Sequence, residues 1–265
     1  NMINPNTQTI YVRGINNNTG CINSETSFDI RVNPIPNISS PANLQLCDDD
    51  SDGLISGFNL DNQITTILNG LNPADYSVSF HLTINDAILN NNPIVDTNNF
   101  QNTTQNQQTI YVRVTNNTTT CFNTVSFDLI VNPLPVNSPI SDLVLCDTDT
   151  DGLVQNIDLS LQTQNIIDGQ SPGDYSVSYY TSLNDAQNNT NPIVGPFTNT
   201  TPFSQTIYVR ITNNTTGCFS TDSQFDIIIN PEPQFLSLPD QEFCDDDTDG
   251  LVANIDLNAL IPQIL

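Results

Sequence analysis

One eight-residue stretch recurs three times along the chain. It reads Cys47-Asp48-Asp49-Asp50-Ser51-Asp52-Gly53-Leu54, then Cys146-Asp147-Thr148-Asp149-Thr150-Asp151-Gly152-Leu153, then Cys244-Asp245-Asp246-Asp247-Thr248-Asp249-Gly250-Leu251. The cysteines stand 99 and 98 residues apart, so the 265 residues are built on a period of ordinary domain size. Whatever this chain folds into must close within one period and then repeat. The period divides it into residues 1–36, the C-terminal part of a repeat; 37–135 and 136–233, two complete repeats; and 234–265, the N-terminal part of another. The sequence therefore reads as a slice of a longer array.

Taken as a ligand loop, the stretch places Asp48, Asp50 and Asp52 at positions 1, 3 and 5, a glycine at 6 for the sharp turn, and Leu54 at 7, whose carbonyl can turn inward. The second copy offers Asp147, Asp149, Asp151 and Leu153, and the third Asp245, Asp247, Asp249 and Leu251. Position 12, where calcium loops of the EF-hand type carry a bidentate carboxylate, holds Asn59, Asp158 and Asp256. Position 8 is apolar, with Ile55, Val154 and Val252, as a loop pinned to a core requires. Three or four carboxylates in one turn repel each other unless a divalent ion neutralises them, and an all-oxygen donor set selects a hard cation. The cofactor expected is Ca2+, with the first site weakened by Asn59. Residues 43–46 and 142–145 read as strand, so the loop is expected without the helix pair of an EF-hand.

Twenty-nine acids against four bases give a formal net charge of −25, which argues against nucleic acid and anionic membrane surfaces as partners. Thirteen of those acids lie in or just after the three loops, where a cation would sit. No apolar run approaches the length of a bilayer span, so this region is not expected to cross a membrane. Six cysteines fall at two places in the period: Cys47, Cys146 and Cys244 before the acidic loop, and Cys21, Cys121 and Cys218 after an Asn/Thr-rich turn. Even, periodic cysteines without a CxxC or a nearby histidine point to disulfides in an oxidising compartment rather than to zinc. Two connectivities fit. Within a repeat, Cys47 joins Cys121 and Cys146 joins Cys218. Across a joint, Cys21 joins Cys47, Cys121 joins Cys146 and Cys218 joins Cys244. The stiff Asn-Pro-x-Pro joints at residues 33–36, 132–135 and 230–233 favour the first, because the second demands a fold-back.

Within a repeat, residues 44–47 read as a short strand leading into the loop. A short helix follows, with Asp61, Ser160 and Asn258 as N-cap candidates, Gly70 and Gly169 as stops, and Ile64, Ile67, Leu68 and Leu71 as its apolar stripe. Strands then dominate: Tyr76, Val78, Phe80 and Leu82 alternate with polar residues, a second capped turn falls at residues 85–87 and 184–186, and the repeat closes with a hairpin beginning at Gln108, Gln8 and Gln205. The fold class expected is all-β: tandem immunoglobulin-like antiparallel β-sandwich repeats, each with a short capped helix.

The run Leu-Cys-Asp-x-Asp-x-Asp-Gly, then Asn-Asp-Ala with Asn-Pro-Ile, then Gln-Thr-Ile-Tyr-Val-Arg, Gly-Cys-Phe and Phe-Asp-Ile-Ile-Ile-Asn-Pro-x-Pro resembles the tandem immunoglobulin-like repeats of giant surface proteins from gliding Bacteroidetes. These in turn resemble the SprB-type gliding adhesins exported by type IX secretion. The resemblance implies an extracellular, outer-membrane-attached array that takes part in cell adhesion and gliding motility. Its implied partners are surface polysaccharide and components of the motility or secretion machinery.

Catalysis is not expected. The single histidine, His81, falls on the polar side of a strand and gives way to Tyr180 one period later, so no histidine-based nucleophile arrangement repeats. The leading expectation is a structural stalk, stiffened by calcium and stapled by disulfides, whose repeats act mainly on their neighbours. The alternative is a set of glycan- or protein-binding sandwiches using the Asn/Thr tips at residues 116–119 and 213–216. The absence of tryptophan, the favoured aromatic platform, weighs against it.

Overall fold

The structure, a computed structural model, describes residues 7–167, 169–233, 237–238, 240–245, 249–252 and 255–264. It divides into two compact units, Asn1–Leu134 and Pro135–Leu265. The first unit begins with a lone antiparallel hairpin, β1 (Thr7–Ile15) and β2 (Ile22–Arg31). The repeat after it contains β3 (Leu44–Cys47), α1 (Ile64–Leu68), β4 (Tyr76–His81), α2 (Ile84–Leu89), β5 (Gln107–Asn116) and β6 (Phe122–Asn132). The second unit repeats the order with β7 (Leu143–Asp147), α3 (Thr163–Ile166), β8 (Tyr175–Tyr180), α4 (Leu183–Asn188), β9 (Ser204–Asn213), β10 (Phe219–Ser220) and β11 (Gln224–Pro231); α5 (Ile261–Ile264) lies beyond.

Each repeat is the expected all-β sandwich unit with a short helix. Its main sheet runs β3-β6-β5-β4, and β7-β11-β9-β8 in the second unit. The closing hairpins are antiparallel, but the first strand joins in parallel, with Cys47 opposite Asn132 and Cys146 opposite Asn230. The facing layer is thin: a single bridge, Phe58 to Phe100, then a 3-10 turn at Leu60–Gln63 and α1. Alternation in β5 aims Ile110, Val112 and Val114 at Phe58, Leu60, Ile67 and Leu68, all nearly or fully buried. Each such aliphatic side chain contributes roughly 2 kcal/mol on burial. Ile157, Leu159 and Ile166 play the same part against Ile207, Val209 and Ile211.

Three local expectations are corrected. The helical turns start earlier than expected, because Asn59, Asp158 and Asp256 hold the extended cap conformation and accept the amides of Asn62, Ser160 and Asn258, which leaves Asp61, Ser160 and Asn258 inside the turn. His81 is buried rather than on a polar face. It lies between the Asn91 carbonyl at 2.8 Å and the Ser79 hydroxyl at 2.9 Å, where α2 and the turn after it cover the end of β4. Leu82 falls just past β4 and is exposed instead of continuing the inward alternation.

The tip of each closing hairpin needs a left-handed residue before its cysteine. Gly20 and Gly217 supply it at φ 75° and 76°, but the first complete repeat uses Thr120 at φ 60°. A β-branched residue is strained there, so Thr120→Gly is expected to raise stability by about 0.5–1 kcal/mol in urea unfolding.

Candidate metal centre

The acidic loop leaves the end of the parallel strand and folds around its first aspartate. Asp48 is buried; its Oδ2 accepts the Gly53 amide at 2.8 Å, and its Oδ1 accepts those of Asp49 and Ser51 at 2.9 and 3.1 Å. Asp147, also buried, takes the Gly152 amide at 2.6 Å, and Asp245 takes that of Gly250 at 2.7 Å. The fifth position closes the turn the same way three times: Asp52, Asp151 and Asp249 each accept the amide of Leu54, Leu153 or Leu251 at 2.7 Å. These bonds explain the glycine at position 6. Gly53 and Gly152 sit at φ 78° and 79°, and a Cβ there would approach Asn106 or Phe203 and Pro202 to within 3 Å.

Carboxylate oxygens of Asp48, Asp50 and Asp52 lie within 4.8 Å of one another, as do those of Asp147, Asp149 and Asp151. The donors are all hard oxygens at a spacing one divalent cation can bridge, so the residues fit Ca2+. In the second loop the Gly152 amide holds the Asp147 carboxyl below its usual range, whereas a side-chain hydrogen bond with Asp147 pushes Asp149 up.

The other predicted ligands are placed differently. Asp158 is not in the second of these carboxylate clusters; the side chains of Asn59 and Asp158 cap the following turn, Asp158 taking both the amide and hydroxyl of Ser160. Asp256 caps Asn258 in the same manner. Asp246 and Asp247 lie outside the described residues. Ile55 and Val154 pack on the cores, as position 8 requires.

Two important residues escaped sequence reasoning. Asn102, 2% exposed, accepts the Ile55 amide at 2.7 Å and donates to the carbonyls of Gly53 and Thr104 at 2.8 Å, so it clamps the loop to the segment before β5. Asn199 makes the same three bonds to Val154, Gly152 and Thr201. The signal for them was the recurrence of Asn-Thr-Thr at residues 102–104 and 199–201.

Both expected cysteine connectivities are corrected. Cys47 and Cys218 are disulfide-bonded, whereas Cys21, Cys121, Cys146 and Cys244 are free thiols. The Cys47–Cys121, Cys146–Cys218, Cys21–Cys47, Cys121–Cys146 and Cys218–Cys244 bonds are therefore all absent. Geometry within one repeat explains the first. Cys47 pairs with Asn132 at one end of the 11-residue β6, and Cys121 precedes its other end. That separates them by roughly 33–36 Å, against the ~7 Å between Cα atoms that a disulfide tolerates. In the second unit, Cys146 lies beside Asn230 at the far end of β11, while Cys218 precedes β10 at the hairpin tip.

The profile of the Flavobacterium inter-domain disulphide bond domain matches residues 43–135 and 142–233. No curated protein matches the chain. Among similar solved structures, chicken VE-cadherin EC1-2 shares 7% identity over 72% of this chain and 98% of its own, with a TM-score of 0.22. Protocadherin gamma B7 extracellular cadherin domains 1–4 share 14% identity over 90% of this chain, which spans 63% of that one, with a TM-score of 0.21. A SusE-like surface located polysaccharide binding protein from the Bacteroides thetaiotaomicron heparin utilisation locus shares 10% identity over 85% of this chain and 43% of its own, with a TM-score of 0.22.

Proposed function

Because the chain belongs to the Flavobacterium inter-domain disulphide bond domain family, we propose that it is a stalk of an extracellular adhesin whose joints are fixed by a disulfide and by calcium. One observation carries this reading: within each repeat the acidic triad and its cysteine lie at the end of the sheet where the chain leaves for the next repeat. Asp48, Asp50, Asp52 and their counterparts Asp147, Asp149 and Asp151 would hold the ion, which supplies charge neutralisation at that joint. Loss of the ion leaves clustered carboxylates to repel one another and loosens the loop that the cysteine enters. The resemblance to gliding adhesins extends the reading to an array attached to the outer membrane, exported by type IX secretion and moved by the motility machinery, with neighbouring repeats as immediate partners and polysaccharide as a candidate substratum.

Calorimetric titration of the whole chain with calcium is expected to show at least two ions bound, and a chelator is expected to speed proteolysis near residues 47–59 and 146–158. Asp50→Asn with Asp149→Asn should remove both effects. No binding, or digestion that a chelator leaves unchanged, would count against the calcium-fixed joint.

The binding-module reading has weaker support. The tip side chains that would meet a glycan are engaged in their own turn: Asn116 accepts the amides of Thr118 and Thr119, and Asn117 bonds the Ala74 carbonyl and the Ser77 hydroxyl. Asn213 and Asn214 repeat the arrangement.

A further inference from the structure

The three closing hairpins differ at one place. Phenylalanine follows the tip cysteine by seven residues at Cys21–Phe28 and Cys218–Phe225, but by six at Cys121–Phe127. The extra residue makes a β-bulge. Residues 221–223 stand opposite Val209 and Arg210, and Ser24 and Glu25 stand opposite Arg13, whereas β5 and β6 pair without a shift. Both bulges hold an acid at the same count. The amides of Glu25 and Asp222 donate to the side chains of Asn23 and Ser220, two residues back, at 3.0 and 3.3 Å. A cavity opens beside each, of about 320 Å³ at residues 22–25 and about 400 Å³ at Asp222.

The second cavity has a built polar end and an apolar wall. Asn137 donates to Ser220 Oγ at 2.6 Å and to Asp222 Oδ2 at 3.4 Å; Ser220 donates to the same Oδ2 at 3.0 Å, and Ser223 to Asn137 Oδ1 at 3.0 Å. Ser220 and Ser223 are buried, so the network is fixed from beneath. Its donors are turned on one another, and the capacity left over is that of acceptors, chiefly the Asp222 carboxylate. Pro139 and Ile140 line the same cavity. The arginine opposite the bulge does not neutralise it: the Arg210 guanidinium lies on the Phe219 ring and donates to the carbonyls of Ala186 and Gln187.

We propose that the cavity beside the Asp222 bulge receives an arginine side chain from a basic segment of another protein. A planar guanidinium brings paired donors to a carboxylate, and its aliphatic stem suits the proline and isoleucine wall, which a bare metal ion would leave unused. A chain with formal net charge −25, four arginines and no lysine draws such a partner from solution and has little of its own to compete with it. The repeat with the continuous hairpin offers no such acid, because Val125 and Ser126 fill the stretch before Phe127. This docking site is independent of the joint disulfide and of calcium.

The test follows amide NMR signals of the full chain, in excess calcium, as N-acetyl-arginine methylamide is added. The citrulline analogue, of the same shape but uncharged, is the comparison. Shifts are expected to saturate at Asn137, Asp222, Ser223 and Gln224, to spare residues 122–126 of the continuous hairpin, and to require about tenfold more of the citrulline compound. Asp222→Asn should abolish them. Deletion of Asp222 should do the same while giving this hairpin the length of the middle one, whose unbulged register is folded. The spectra report at once whether either variant keeps its fold. Equal shifts with citrulline, the same shifts with methyl glucoside, shifts that survive Asp222→Asn, or no shift at the solubility limit of the probe would each overturn the proposal.

Discussion

Gly152→Ala is expected to destabilise the second repeat by about 3 kcal/mol. Two costs add. Alanine at φ 79° loses roughly 1 kcal/mol to left-handed backbone strain, and the new Cβ would stand 2.9 Å from both the Phe203 amide nitrogen and Pro202 Cβ. Relieving that overlap moves backbone, for roughly another 2 kcal/mol. Gly53→Ala should cost less, about 1–2 kcal/mol, because the nearest atom to its Cβ is Asn106 Oδ1 at 2.7 Å, the end of a side chain that can swing away. Urea unfolding of the two single variants gives the order directly. Equal losses would mean that backbone strain alone, not close approach, fixes the glycine.

Asn199→Ala is expected to be at least as severe, about 3–4 kcal/mol, and to weaken cation binding by the second loop. The side chain is 1% exposed and satisfies the Val154 amide and the carbonyls of Gly152 and Thr201. Each buried group left without a partner costs about 1–3 kcal/mol unless water enters. Asn199→Asp retains an acceptor for Val154 but leaves both carbonyls without their donor, so it should rescue little. Calorimetry on the variant separates the two effects: lost stability with unaltered calcium affinity would show that the clamp supports the fold without shaping the loop. Asn102→Ala should act in the same way on the first repeat.

Much of the fold was legible because short-range rules dictate it. Period-two alternation marked β5, β6 and β9, and the thrice-repeated glycine marked the acidic turn. Longer-range features were not legible. The cysteine register depends on which end of the sheet each sulfur reaches, and that follows from the parallel pairing of β3 with β6, for which four residues of strand carry no signature. His81 was misjudged because alternation assumes one open face, whereas the turn carrying Asn91 closes over the end of β4. Asn102 looked like loop composition, since nothing local shows that two of its three bonds reach residues 53 and 55. The twelfth position carries two readings in sequence, since a carboxylate can end an ion loop or begin a helical turn, and the Asp158 side chain caps such a turn.

The second proline is buried in the first two joints, at Pro36 and Pro135, and the Pro36 carbonyl accepts a hydrogen bond from Asn123 of the repeat that follows it. The linker thus supplies part of the next repeat's surface, leaving Pro133 and Leu134 as the span between one strand end and the next buried proline. Duplication or deletion of one whole period would keep the Asn-Pro-x-Pro sequence at every junction. A repeat excised for separate expression should keep the proline that precedes it.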